Sequence, residues 1–171
     1  VAVFATVEGE IEVEDDGTYP VNFPKNTTAT RTDRKLNAVS LTAAGGEKQT
    51  LNVTGSKVYN DLTTKESNYL KCQPGENLTA EFSYTGTWMH GYVFIDENND
   101  KQFSFAEGDT DQTGTEVKSY SFYSGGYDNE DSGYNSAGTY FTGNSRNTMA
   151  CPSFQAPAET GTYRIRFKVD W

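Results

Sequence analysis

Apolar side chains return at every second position in two long stretches of this chain, a period that no helix can bury on one face. In residues 77 to 84, Leu78, Ala80, Phe82 and Tyr84 face one way and Asn77, Thr79, Glu81 and Ser83 the other. Residues 162 to 170 repeat the pattern, with Tyr163, Ile165, Phe167 and Val169 opposite Thr162, Arg164, Arg166, Lys168 and Asp170. Both read as strands with one wet face. A third stretch, 88 to 95, is apolar on both sides of the pleat (Trp88, Met89, Tyr92, Val93, Phe94, Ile95), which predicts a central strand covered on both faces.

Further strands are expected at 35 to 43, 49 to 54, 66 to 72 and 115 to 123, each bounded by Gly, Pro, Asn or Asp clusters. The five prolines (Pro20, Pro24, Pro74, Pro152, Pro157) all fall between these runs, and no window holds a 3.6-residue apolar period. The expected fold is therefore all-β: an antiparallel β-sandwich of jelly-roll or Ig-like type with little or no helix. The strands at 77 to 84, 88 to 95 and 162 to 170 should lie at the centres of its sheets. At 171 residues one core suffices, so residues 34 to 171 form the domain. Residues 1 to 33 read as a leading segment, either an added strand or the tail of a preceding domain.

Only 35% of the residues are hydrophobic, yet eleven Tyr and ten Phe lift the aromatics to 13%. A core of rings is implied, and disorder is excluded. The formal net charge of −10 repels phosphate backbones and anionic surfaces, which argues against nucleic acid as a partner. No run of about 18 apolar residues is present to span a membrane, and Val1 to Ala5 lacks the charged and apolar parts of a signal peptide. The chain reads as part of a larger exported protein, secreted or on the cell surface. In that setting Cys72 and Cys151 are expected to close a long-loop disulfide, two buried thiols being the alternative.

The sharpest chemical signal is Asp96-Glu97-Asn98-Asn99-Asp100-Lys101-Gln102-Phe103-Ser104-Phe105-Ala106-Glu107. Oxygen side chains stand at loop positions 1, 3, 5, 9 and 12, an apolar residue at 8, and the carbonyl of position 7 is available, which is the spacing of a calcium loop. Asp96, Asn98, Asp100, Gln102 and Glu107 are the candidate ligands for Ca²⁺. Lys101 occupies the position usually held by Gly, and no helical pattern flanks the loop, so a β-to-β calcium loop is expected in place of an EF-hand. The alternative is an acidic turn that binds nothing specific.

From 124 to 148 runs a long Gly/Ser/Asn/Tyr segment. Tyr127, Tyr134 and Tyr140, with Asn135, combine flat rings and amide groups of the kind that stack on and hydrogen-bond to sugars. Rings that anchor the loop, or that meet a protein partner, are the competing readings. Three Asn-x-Ser/Thr sequons, at Asn26, Asn52 and Asn77, are near chance frequency.

Catalytic constellations are scarce. His90, the lone histidine, sits mid-strand among rings, and there is no Gly-x-Ser-x-Gly elbow, phosphate loop or two-histidine metal motif. The chain is read as no enzyme; a glycoside hydrolase using some carboxylate pair ranks third among the readings.

The segments Tyr84-Thr85-Gly86-Thr87-Trp88-Met89-His90-Gly91-Tyr92-Val93-Phe94-Ile95-Asp96, Ser119-Tyr120-Ser121-Phe122-Tyr123, Asn135-Ser136-Ala137-Gly138 and Gly161-Thr162-Tyr163-Arg164-Ile165-Arg166-Phe167-Lys168-Val169-Asp170-Trp171 together resemble GEVED-type β-sandwich domains of bacterial secreted proteins. The resemblance covers roughly residues 35 to 171. Cys72 and Cys151 stand outside its pattern. It implies an accessory role in carbohydrate or surface attachment, as in adhesins and glycan-degrading enzymes. The expected function is a non-catalytic extracellular binding or adhesion domain, its partner a glycan or surface protein, with a structural calcium. The second reading is a spacer or assembly unit of a surface protein or polymer, linked by strand exchange.

Overall fold

In the computed structural model the described residues are 19–21, 23–87, 89–103, 116–122, 134–139 and 147–170, together with the backbone of 2–5. They form an all-β sandwich of two sheets. In chain order the strands are β1 (Ala2–Ala5), β2 (Lys35–Ala43), β3 (Lys48–Asn52), β4 (Tyr59–Asp61), β5 (Asn77–Thr85), β6 (His90–Ile95), β7 (Val117–Phe122), β8 (Thr148–Ala150), β9 (Phe154–Gln155) and β10 (Ile165–Asp170). One sheet runs β4-β1-β10-β6-β7; the other runs β3-β2-β5-β8, with β9 also on β5. No helix among the described residues is long and apolar enough to cross a membrane.

The alternating stretches become the inner faces. In β5 burial alternates so that Leu78, Ala80, Phe82 and Tyr84 are buried, and in β10 Ile165, Phe167 and Val169 meet them from the facing sheet. Phe82 and Phe167 pack edge to face with centroids 5.9 Å apart, both fully buried. Loss of either ring would cost about 3–5 kcal/mol. Gly91 follows from this packing: a Cβ there would lie 2.8 Å from the Met149 sulfur and 3.4 Å from the Phe82 ring. β6 is covered on both sides, as its composition predicts. Val93 and Ile95 enter the intersheet core, whereas Tyr92 and Phe94 form a second cluster with Phe103 outside it.

The structure departs from the sequence reading at four places. The sandwich is antiparallel except for β1, which pairs parallel to β10 (Ala2 with Arg166 to Ala5 with Val169) and antiparallel to β4. Residues 66 to 72 are not a strand: a 3₁₀ turn (Glu66–Asn68) opens the segment, and Gln49 Nε2 donates to the carbonyls of Ser67 and Tyr69 at 2.8 and 2.9 Å. A side chain takes the acceptors that a neighbouring strand would use. β4, β8 and β9, of two or three residues each, have no visible period and were not anticipated.

The fourth departure concerns the cysteines, which are not bonded to each other. Cys151 is buried beside Ala80 and the Gly91 carbonyl, and burial pushes its thiol well above the ordinary range. Cys72 is exposed, next to the turn at 73 to 76. Cys151 is held on β5 by its N–H to the Ala80 carbonyl, whereas Cys72 lies in the segment leading to the turn before β5, and the expected disulfide between them is not formed.

Candidate cation loop and ring-bearing turn

Where β6 ends, the chain turns through Asp96, which is fully buried. Its backbone N–H still donates to the Arg164 carbonyl at 3.0 Å, so β10 fixes where the carboxylate starts. That carboxylate then organises the loop. Oδ1 accepts the Asp100 N–H at 3.2 Å, and Oδ2 accepts the Lys101 N–H at 3.1 Å and the Tyr19 hydroxyl at 2.8 Å. Smaller turns nest inside: Asn98 Oδ1 accepts from Asp100 N, and Asp100 Oδ1 from Gln102 N. Asn99 and Lys101 take positive φ, +55° and +68°. Asn tolerates that region; Lys does not, and it occupies the loop position where Gly is customary.

Tyr19 closes the loop from outside. Its N–H donates to the Lys101 carbonyl at 2.9 Å, its ring lies 5.3 Å from Phe103, and the Arg164 guanidinium stacks 4.3 Å from its centroid. Burial first, and then the bond to Asp96, push the Tyr19 phenol up to about 12. It is therefore a fixed donor to the carboxylate. Phe103, the apolar residue at loop position 8, is buried against Phe94 and under the Arg166 guanidinium, 4.2 Å away.

The carboxylates that converge are Asp96, Asp100 and Glu116, each offering an oxygen within 4.8 Å of the others. Glu116 lies far outside the loop and escaped the sequence reading. The register of β6 against β7 brings it in: Ile95 N–H donates to the Glu116 carbonyl, and Glu116 Oε1 accepts the Glu97 N–H, both at 3.0 Å. It is only 4% exposed. The one sequence signal was a glutamate near the start of the strand expected at 115 to 123. Of the other expected ligands, Asn98 also donates from Nδ2 to Asp100 at 3.1 Å and so shapes the loop, and Gln102 is exposed. Glu107 lies outside the described residues.

Of the ring-bearing segment, Tyr127 and Tyr140 lie outside the described residues, and Tyr134 and Asn135 lie within them. Asn135 Oδ1 accepts the N–H groups of Ala137 and Thr139, both at 3.0 Å, and the turn closes through Gly138 at φ +74°. Ser136 fastens it to β7: its N–H donates to the Tyr120 carbonyl, and its hydroxyl accepts the Tyr120 N–H at 3.1 Å. Tyr134 enters this fastened turn 62% exposed, the one large hydrophobic side chain so placed among the described residues. His90 packs edge-on against Phe122 at 4.6 Å on the outer face of its sheet.

Comparison with protein-family models, with characterised proteins and with solved structures matches nothing.

Proposed function

We propose that this chain is a non-catalytic extracellular binding module, carbohydrate-directed, whose loop after β6 is ordered by a structural Ca²⁺. The observation that carries the calcium part is the convergence of Asp96 and Glu116, both buried, with Asp100 within 4.8 Å. Buried like charges at that separation repel strongly, and a hard divalent ion with oxygen ligands relieves the repulsion. Asp96, Asp100 and Glu116 are the residues that would hold it. The binding part is supported by Tyr134, an exposed ring on a turn already fixed by Asn135 and Ser136, so little ordering entropy opposes ligand stacking.

Thermal melting in Ca²⁺ and in EDTA tests the first part. At a hundredfold excess over Kd the ion adds about 2.7 kcal/mol, a rise of roughly 5–10 °C for a chain of this size. Asp96→Asn and Glu116→Gln should each abolish the rise; an unchanged melt in the native protein would refute the calcium site. A glycan array of the calcium-loaded protein tests the second part. Hits lost in Tyr134→Ala, with stability unchanged within about 0.5 kcal/mol, are expected.

An assembly unit is the second reading, favoured by β1. This short strand lies parallel to β10 and supplies the only strand partner of β4 among the described residues. Mixing Ala2→Cys and Asp61→Cys chains, each in a Cys72→Ser background, gives a disulfide-linked dimer only if β1 is donated between molecules.

A further inference from the structure

At one end of the sandwich the two sheets part over a cleft of about 540 Å³, a volume typical of small-molecule sites. Its floor is apolar: Leu41, Leu51 and Leu78 from one sheet, Ile95 and Ile165 from the other. Its walls are set in advance by internal hydrogen bonds. Tyr69 donates its hydroxyl to the Thr63 carbonyl at 2.8 Å, and Tyr163 donates to the Glu159 carbonyl at 3.0 Å. Gln49 pins the backbone of 67 to 69 between them. A ligand would therefore meet a formed surface.

Charge narrows the ligand class. In a chain of net charge −10, the charged side chains that line this cleft among the described residues are Lys71 and Arg164, and none of those residues brings a carboxylate to it. Arg164 is engaged by Asp61 at 2.9 Å, whereas Lys71 is exposed at the mouth. We infer that the cleft binds a small organic monocarboxylate with an apolar body, its chain or ring on the leucine and isoleucine floor and its carboxylate at Lys71. Tyr19 and Asn99 belong both to this cleft and to the acidic loop, but the inference does not require a bound cation.

Cys72 supplies a native reporter, since it lines the cleft and is exposed, while Cys151 is buried with its thiol suppressed. Alkylation of the full chain by iodoacetamide at fixed pH therefore reads Cys72. Octanoate is the probe and octanol its neutral counterpart. At tenfold over half-saturation, octanoate should slow alkylation about tenfold, because only about a tenth of the clefts stay open. Lys71→Gln should raise half-saturation about three- to fivefold, the worth of an exposed ion pair, and octanol should be weaker by a similar factor. Thr162→Trp, on the exposed rim, should remove protection relative to its own ligand-free rate. No protection at millimolar octanoate overturns the inference. So does octanol equal to octanoate with Lys71→Gln silent, or full protection retained in Thr162→Trp.

Discussion

Two turns in this molecule are built with one device and put it to different ends. At Asp96 a side-chain carboxylate gathers the N–H groups of residues four and five positions ahead; at Asn135 a side-chain amide oxygen gathers those two and four ahead. Each turn needs positive φ, at Asn99 and Lys101 in one and at Gly138 in the other. They differ in charge and burial. The Asn135 turn is neutral, partly exposed and complete as it stands, and it presents Tyr134 outward. The Asp96 turn is anionic, its residues 97 to 102 exposed but the Asp96 carboxylate at its centre buried, and Asp100 and Glu116 converge on that carboxylate. The same backbone solution thus serves as a platform where it is neutral and as a charge concentrator where it is not.

The largest expected effect separates the two acceptors. Asp96→Ala removes the partner of two backbone N–H groups and of the Tyr19 hydroxyl in a buried site, and should cost about 2–4 kcal/mol in the absence of calcium. Asn135→Ala removes two acceptor contacts in a wetter setting and should cost about 1–2 kcal/mol. Urea denaturation checks both, as a fall in midpoint at unchanged slope. Equal losses would erase the distinction drawn from burial. Gly138→Ala comes next, at about 1 kcal/mol, because a Cβ meets no neighbour there and the cost is backbone conformation alone.

The two turns also differ in how far they could be read in advance. Strands β2, β5, β6, β7 and β10, at six to nine residues, are long enough to show a pattern, a period of two in β5 and β10 and an unbroken apolar run in β6. Short strands such as β4 and β9 carry no period, and their pairing is decided by neighbours distant in sequence. The acidic loop was legible at Asp96, Asn98 and Asp100, because a turn's own side chains set its local bonds. Tyr19 and Glu116 were not, since only the register of β6 against β7 and the path of the leading segment bring them to Asp96. The pairing of Cys72 with Cys151 failed for the same reason: spacing along the chain says nothing of which cysteine the fold buries and which it leaves exposed.

The smallest effect has the opposite sign. Lys101 holds φ +68° with a side chain, and Gly in its place should relieve about 0.5–1 kcal/mol of backbone strain. The substitution also withdraws a positive charge from beside Asp96 and Asp100, which in calcium-free protein offsets part of the gain. Lys101 is exposed, so that offset is screened and the net should remain stabilising. Lys101→Ala separates the two terms, because it removes the charge and keeps the Cβ. In EDTA, Lys101→Gly should exceed Lys101→Ala in stability by the strain alone. In calcium both should gain apparent affinity, since the lysine's charge opposes the cation. A Lys101→Gly variant no more stable than Lys101→Ala would mean that the loop's bonds to Asp96 hold residue 101 without strain, and that the two turns are more alike than their charges suggest.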